Sequence, residues 1–281
     1  MQPIVAVIAP GMMGSGVGAR LAQNGIEVRT ALGGRSDASV KRARAAGMTG
    51  ATDEQIAACD LILSIVPPGE AQGLADRLAP ALRAAAKKPI YVDCNAVSPP
   101  TVLRIARTIE ETGATFVDGG IIGGPPTPGS KGTKLYVSGP AASRVADLEK
   151  YGLEVKLQAG PIGAASAMKM SYAGITKGFT ALGAAMMLAA ARAGTTDALR
   201  AELSASQPAL YGWLTRAMPK MYSKAYRWVA EMEEISGFVG EDPAAAQFYQ
   251  AAARFYERIA ADYEGQRAEC TALDAFGEPK T

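Results

Sequence analysis

Lys169, Tyr172, Ala173 and Thr176 follow one another at spacings of three and four residues within a run of small and apolar residues from Ala164 to Ala193. On a helix this spacing places all four on one face. An ammonium and a phenol projecting from a face of small groups can converge on one oxygen and give it, or take from it, a proton. Partial burial would lower the lysine pKa towards usefulness, because a low-dielectric surrounding disfavours the charged form. The same residues also fit a plainer arrangement, a surface lysine beside a packing tyrosine. Lys177 lies outside the spacing and is expected to be solvated. The chain contains no histidine, which excludes Ser-His-Asp and Cys-His mechanisms, His-rich metal sites and an imidazole base. Its three cysteines, Cys59, Cys94 and Cys270, show no paired spacing. Zinc is therefore not expected, and a reducing cytoplasm is the expected compartment.

A second chemical feature lies near the start of the sequence. The β-rich run Ile4 to Ile8 leads into Ala9-Pro10-Gly11-Met12-Met13-Gly14-Ser15-Gly16, with Ala9 where the first glycine of a dinucleotide-binding turn normally stands. Gly11 would let the backbone approach a pyrophosphate, and Gly14 would let the following helix pack on the sheet. That helix, Met12 to Asn24, would direct its positive end, with Met12 and Met13 in the first turn, at the phosphates. Asn24-Gly25 closes it and a second strand begins at Ile26. A glycine turn can be purely structural; set between strand and helix, with βαβ continuation, it reads as a cofactor site. After the second strand an enzyme that binds NAD would carry an acid for the ribose, but the chain reads Thr30-Ala31-Leu32-Gly33-Gly34-Arg35-Ser36. Arg35 and Ser36 offer a guanidinium and a hydroxyl suited to a 2′-phosphate, so NADP is favoured over NAD. The alternative for Arg35 is a solvated loop cation beside Asp37.

These features need a scaffold, and 281 residues exceed what one core usually organises. With 48% apolar and 20% charged residues and a net charge of +2, the composition is that of an ordinary globular protein, and no basic tract suggests a nucleic-acid partner. From Pro3 to Gly160, β-rich runs near 3–9, 26–31, 60–66, 89–94, 115–121, 134–138 and 153–158 alternate with Ala-rich helical stretches. This predicts an α/β Rossmann domain, a doubly wound parallel sheet, over residues 1–160. From Pro161 onward no strand is expected. Residues 161–281 are read as an all-α domain for substrate and dimerisation, joined to the first by the long helix Ala164 to Ala193. No basic leader precedes the first strand, so no secretory signal is expected. The most apolar helical stretch, near Gly178 to Ala193, is about 15 residues, short of the roughly 20 that span a membrane; no membrane partner is expected.

Three loops fall where such a sheet presents the carboxyl ends of its strands to a ligand. They are Val66-Pro67-Pro68, Asp93-Cys94-Asn95-Ala96-Val97-Ser98-Pro99 and Asp118-Gly119-Gly120-Ile121-Ile122-Gly123-Gly124-Pro125-Pro126. Each by itself could be only a turn. Together with Gly160-Pro161-Ile162-Gly163 and Lys169 through Ile175, in this order, residues 1 to about 195 resemble the superfamily of β-hydroxyacid and 6-phosphogluconate dehydrogenases. The resemblance implies a lysine at the reaction centre, here Lys169. It also implies a family asparagine at the position of Ala173, the phosphogluconate-branch histidine at Tyr172, the phosphogluconate acid at Thr176, and a substrate-loop serine at Ile122. Those departures mean that neither 6-phosphogluconate nor a simple 3-hydroxyacid is carried over as substrate. The run Tyr226-Arg227-Trp228-Val229-Ala230-Glu231-Met232-Glu233-Glu234 looks like a divergent phosphogluconate-dehydrogenase-like branch.

The expectation is an oxidoreductase that binds NADP, with NAD as the lesser choice, and acts on a small carbonyl or secondary alcohol. Lys169 and Tyr172 would be catalytic. Gly11, Met12, Met13, Gly14, Arg35, Ser36, Val66, Pro67 and Asn95 would hold the cofactor, and Ile121, Ile122, Gly123, Gly124 and Glu231 the substrate. Glu231, Glu233 and Glu234 also fit an ordinary polar helix face, and Tyr211, Trp213, Tyr222 and Tyr226 a core or dimer interface. An imine reductase of the same architecture is the alternative, since apolar residues stand at Ile122 and Ala173; a cofactor-binding regulator without catalysis is a third. A homodimer through the C-terminal helices is expected, because a small-residue helix apolar on most faces needs a second cover.

Overall fold

The computed structural model describes residues 2–277. By contacts between residues, the chain divides between Met170 and Ser171, ten residues beyond the junction read near Gly160. The first two turns of the long helix are fastened to the first unit, for reasons given below.

In the first unit, β1 (Ile4–Ile8), α1 (Met12–Gln23), β2 (Glu27–Thr30), α2 (Asp37–Ala45), β3 (Met48–Gly50), α3 (Asp53–Ala57), β4 (Leu61–Ser64), α4 (Ala71–Ala84), β5 (Ile90–Asp93), α5 (Pro99–Glu110), β6 (Thr115–Ile122), β7 (Lys134–Ser138) and β8 (Glu154–Leu157) follow in order. Their eight strands form one sheet in the order β3-β2-β1-β4-β5-β6-β7-β8. Every neighbouring pair is parallel except β6 and β7, which run antiparallel with Gly120 opposite Tyr136. The sheet is thus mostly parallel rather than uniformly so: the short β6–β7 loop cannot supply the crossover that a parallel return needs. The strand β3 was not expected. It is three residues at an edge with one buried side chain, too short to leave an alternating pattern.

Central strands buried on both faces read as continuous apolar runs, as Ile4-Val5-Ala6-Val7-Ile8 does. One core, with Val7, Leu21, Leu63 and Val92, lies on one face; the other, with Ile8, Ile62, Leu78, Tyr91 and Phe116, lies on the opposite face. Local chemistry sets the helix starts: Thr52 and Gln55 form a capping box on α3, and Pro99 and Pro100 open α5.

The helix α6 (Ala164–Arg192) leads into the second unit, whose remaining elements are all helical: α7 (Thr196–Ser206), α8 (Pro208–Tyr222), α9 (Ala225–Phe238), α10 (Pro243–Glu264) and α11 (Ala268–Gly277). Its aromatic residues pack as separate pairs, Phe179 with Trp213 at 5.3 Å and Trp228 edge-on to Tyr256 at 5.1 Å. Tyr222 is buried, with its hydroxyl donating to Asp274 (2.8 Å), whereas Tyr226 is exposed. At 29 residues, α6 has the length and composition to cross a membrane, longer than its most apolar stretch suggested; half of its most apolar window is buried inside the protein, as in a core helix.

Candidate active site

The carboxyl ends of β1, β4 and β5 are tied into one cradle. Ala9 N–H donates to Ile65 O (3.1 Å), and Gly11 N–H folds back to Ala9 O (2.9 Å). Asn95, buried after β5, accepts from Val66 N–H (2.7 Å) and donates to Ser64 Oγ (2.8 Å) and to Asp93 Oδ2 (3.0 Å). Its amide oxygen and nitrogen are both engaged within the protein. Asn95 therefore sets the shape of the Val66-Pro67 loop. Val66 is buried and Pro67 exposed.

At the glycine-rich turn the chain has two distinct demands. A Cβ on Gly14 would stand 1.9 Å from Ala9 O, so only glycine lets α1 leave the turn at this angle, whereas a Cβ on Gly11 would meet nothing within 4 Å. Open space over Gly11, beside a helix end with no acidic residue in its first turn, fits a phosphate group. Met12 is exposed and Met13 half-buried at that end. Beyond β2, Arg35 is half-buried and Ser36 is the N-cap of α2, its hydroxyl accepting from Ser39 N–H (3.4 Å). No acid stands where the ribose of NAD would need one. The residues present thus fit a dinucleotide: Gly11 to Gly14 at its pyrophosphate, Arg35 and Ser36 at the adenosine end.

The start of α6 is built around Asp118, which the sequence reading placed in a ligand-facing loop without assigning it a role. Asp118 lies inside β6 and is completely buried. Its Oδ2 accepts from Ser138 Oγ (2.8 Å) and from the N–H groups of Gly163 (2.9 Å), Ala165 (2.9 Å) and Ser166 (3.1 Å), and its Oδ1 accepts from Ser166 Oγ (2.6 Å). A carboxylate at a helix N-terminus satisfies orphan donors and opposes the helix dipole. Here it nails the start of α6 onto the sheet. The approach is close: a Cβ on Gly120 would lie 3.0 Å from Lys169 Cβ and 3.2 Å from Ala165 O. One turn further along α6, Lys169 Nζ donates to Ile121 O at 2.7 Å. Loss of water around the ammonium pushes its pKa down to about 8. A lysine so held can lend a proton near neutrality and recover it. The available signal in the sequence was an acid amid the apolar run of β6, since a buried carboxylate must have donors.

Ile121 is buried, Ile122 half-buried and Gly123 and Gly124 exposed at the end of β6, so this loop lies beside the carbonyl that holds Lys169. Tyr172 is half exposed on α6. Lys177 corrects the expectation of a solvated cation: it forms an ion pair with Glu231, both side chains only about 15% exposed (15% and 14%), and its ammonium lies 5.2 Å from the Trp228 ring. Glu231 is thereby committed to Lys177 rather than left as an open carboxylate for a ligand.

A Rossmann sheet with an open glycine-rich turn, and a half-buried lysine of α6 held against the end of β6, define a dinucleotide-binding type of fold. Residues 4–150 match the NAD binding domain of 6-phosphogluconate dehydrogenase, and residues 190–259 match a domain of unknown function, DUF1932. The chain belongs to the family of the NAD binding domain of 6-phosphogluconate dehydrogenase. An uncharacterized 28.5 kDa protein of Methanothermus fervidus is 31% identical over 176 residues, a match that covers 62% of this chain and 66% of that protein, just under two thirds of it. A solved protein of unknown function, described as structurally similar to 3-hydroxyacid dehydrogenases, is 28% identical, covering 98% of this chain and 99% of that one at a TM-score of 0.68. Mycobacterium tuberculosis 3-hydroxyisobutyrate dehydrogenase is 20% identical over 97% of this chain and 99% of its own, with a TM-score of 0.73. A Myxococcus stipitatus imine reductase in complex with NADP+ is 18% identical over 91% and 94%, with a TM-score of 0.56. The last two share the fold.

Proposed function

We propose that this protein is an NADP-preferring reductase or dehydrogenase for a small carbonyl or secondary alcohol. The observation that carries the reading is the placement of Lys169, on the helix whose start Asp118 fastens, with its ammonium held by the Ile121 carbonyl and depressed to a pKa of about 8. The nicotinamide, when bound, supplies or accepts the hydride. Lys169 binds the substrate oxygen and manages its proton: protonated below about pH 8, it gives the proton in reduction, and above that pH it is free to take one in oxidation. Tyr172, one turn on, assists. Gly11, Met12, Met13 and Gly14 hold the pyrophosphate, and Arg35 with Ser36 the 2′-phosphate. The Val66-Pro67 loop, shaped by Asn95, borders the cofactor, and Ile121, Ile122, Gly123 and Gly124 shape the substrate pocket.

An imine is the second substrate class. Apolar Ile122 and Ala173, where the family resemblance calls for serine and asparagine, leave few groups to grip a carboxylate, and the neighbour of this fold from Myxococcus stipitatus is an imine reductase. One assay separates the readings: consumption of NADPH or NADH, followed at the reduced-nicotinamide band, against aldehydes, ketones and cyclic imines. Carbonyl turnover supports the first reading, imine turnover selects the second, and tight cofactor binding without any turnover defeats both.

Two further proposals concern the whole molecule. Tyr172, Ile175, Phe179, Leu182 and Met186 are all exposed on α6, at alternating spacings of three and four that form one apolar stripe. A stripe of this kind on a free surface is unusual, and a second copy of the chain is its natural cover, giving a homodimer through the C-terminal helices. The three cysteines are free and buried, which suits a reducing compartment, and the cytoplasm is the proposed location.

A further inference from the structure

Arg42, in the last turn of α2, does not spread into solvent with its exposed neighbours Lys41 and Arg44. Its Nε donates to Pro10 O (3.3 Å) in the glycine-rich turn, and its Nη2 donates to Ser39 Oγ (2.9 Å). Ser36 Oγ donates to the same Ser39 oxygen (3.2 Å). One line of polar groups therefore runs from the N-cap of α2 to the turn from which α1 departs. Ser39 Oγ accepts from both neighbours, so its own proton is left to give. Of the five N–H groups on a guanidinium, those two bonds use two. The guanidinium stays charged at every working pH, and the one carboxylate on α2 is the exposed Asp37 in its first turn.

We propose that Arg42 is a specificity-determining residue for the 2′-phosphate of NADP, acting from the last turn of α2 together with Arg35, which precedes its N-cap, and that it ties this phosphate site to the pyrophosphate turn through Pro10. The proposal rests on the NADP reading above. A phosphate dianion resting against this line would take charge-assisted bonds from Arg42 and from the Ser39 hydroxyl, at little ordering cost, because Arg42 is already tethered. It explains why a loop as glycine-rich as Leu32 to Gly34 can hold a specific ligand: the rigid partner is the helix.

The test compares 5′-AMP with 2′,5′-ADP, which differ only in the 2′-phosphate, by calorimetric titration of the full chain. The wild type should bind 2′,5′-ADP at least about tenfold more tightly, the size expected of a charge-assisted pair. Arg42→Gln should reduce that ratio by about tenfold and weaken 5′-AMP only a few-fold, through the lost tether to Pro10. Arg42→Lys keeps the charge without the fork and should fall between; it carries the test if the glutamine variant melts early. A ratio unchanged in a well-folded Arg42→Gln or Arg42→Lys protein, while Arg35→Ala removes it, overturns the proposal and leaves the NADP reading standing. A wild type that binds both nucleotides equally defeats the NADP reading itself, and the role of Arg42 with it.

Discussion

Replacing Lys169 by methionine separates its chemistry from its packing, because both are unbranched helix formers of similar length. The folded pKa of about 8 lies below the 10.5 of an unhindered lysine, so the unfolded chain binds more protons than the native one between those values, and native stability rises with pH across that window. At 1.36 kcal/mol per pKa unit, holding the charged lysine in place costs about 3 kcal/mol at pH 7, about 2 kcal/mol at pH 9 and little above pH 10.5. Lys169→Met removes that cost and also the bond to Ile121 O, worth roughly 1 kcal/mol. The variant should therefore be more stable than wild type at pH 7 by about 1–2 kcal/mol, and the advantage should shrink by about 1 kcal/mol by pH 9. Denaturant unfolding at the two pH values measures both quantities. Turnover should fall by roughly 10²- to 10⁴-fold, the usual contribution of general acid–base help, with cofactor affinity nearly unchanged. A variant that is less stable than wild type at both pH values with the same difference, and that turns over normally, would refute the reasoning.

Arg35→Ala should weaken NADPH by about tenfold or more while leaving NADH nearly unaffected, because only NADPH presents a 2′-phosphate; equal losses in titrations of both would remove the assignment. Asp118→Asn turns an acceptor of five hydrogen bonds into a group that presents an NH2 to backbone donors. It should cost about 3 kcal/mol, lowering Tm by roughly 6–12 °C in a scanning calorimeter, and shift the pH profile of turnover as Lys169 loses its fixed position. Tyr172→Phe should reduce turnover less than Lys169→Met if the phenol only assists, and steady-state kinetics ranks the two. Light scattering at micromolar concentration should give a mass of two chains; one chain would refute the dimer.

The alternation of apolar runs made the sheet legible, because strands buried on both faces are mostly apolar: β1 is so throughout, and β4 and β5 carry polar Ser64 and Asp93 only at their carboxyl ends, with Tyr91 inside β5. The glycine turn was legible for a related reason: Gly14 has no room for a side chain. The edge strand β3 left no periodic trace, and the reversal at β7 is set by loop length more than by residue type. In the site, Lys169 stood out by its spacing within α6. What the sequence did not display were long-range partners: Asp118 reaches residues 20 to 48 positions away, Arg42 finds Pro10 across 32, and Lys177 is drawn from solvent by Glu231 across 54. One-dimensional patterns carry local periodicity, and these pairs exist only once the chain is folded.

The most direct test of the central claim is to follow the label from reduced cofactor deuterated at the nicotinamide C4 when the substrate found in the panel assay is turned over by the wild type and by Lys169→Met. The account predicts deuterium on the product carbon that bears the new hydroxyl or amine, at a rate that collapses in the variant although its cofactor affinity persists. Product formed without deuterium on that carbon, or formed equally fast by Lys169→Met, would contradict it.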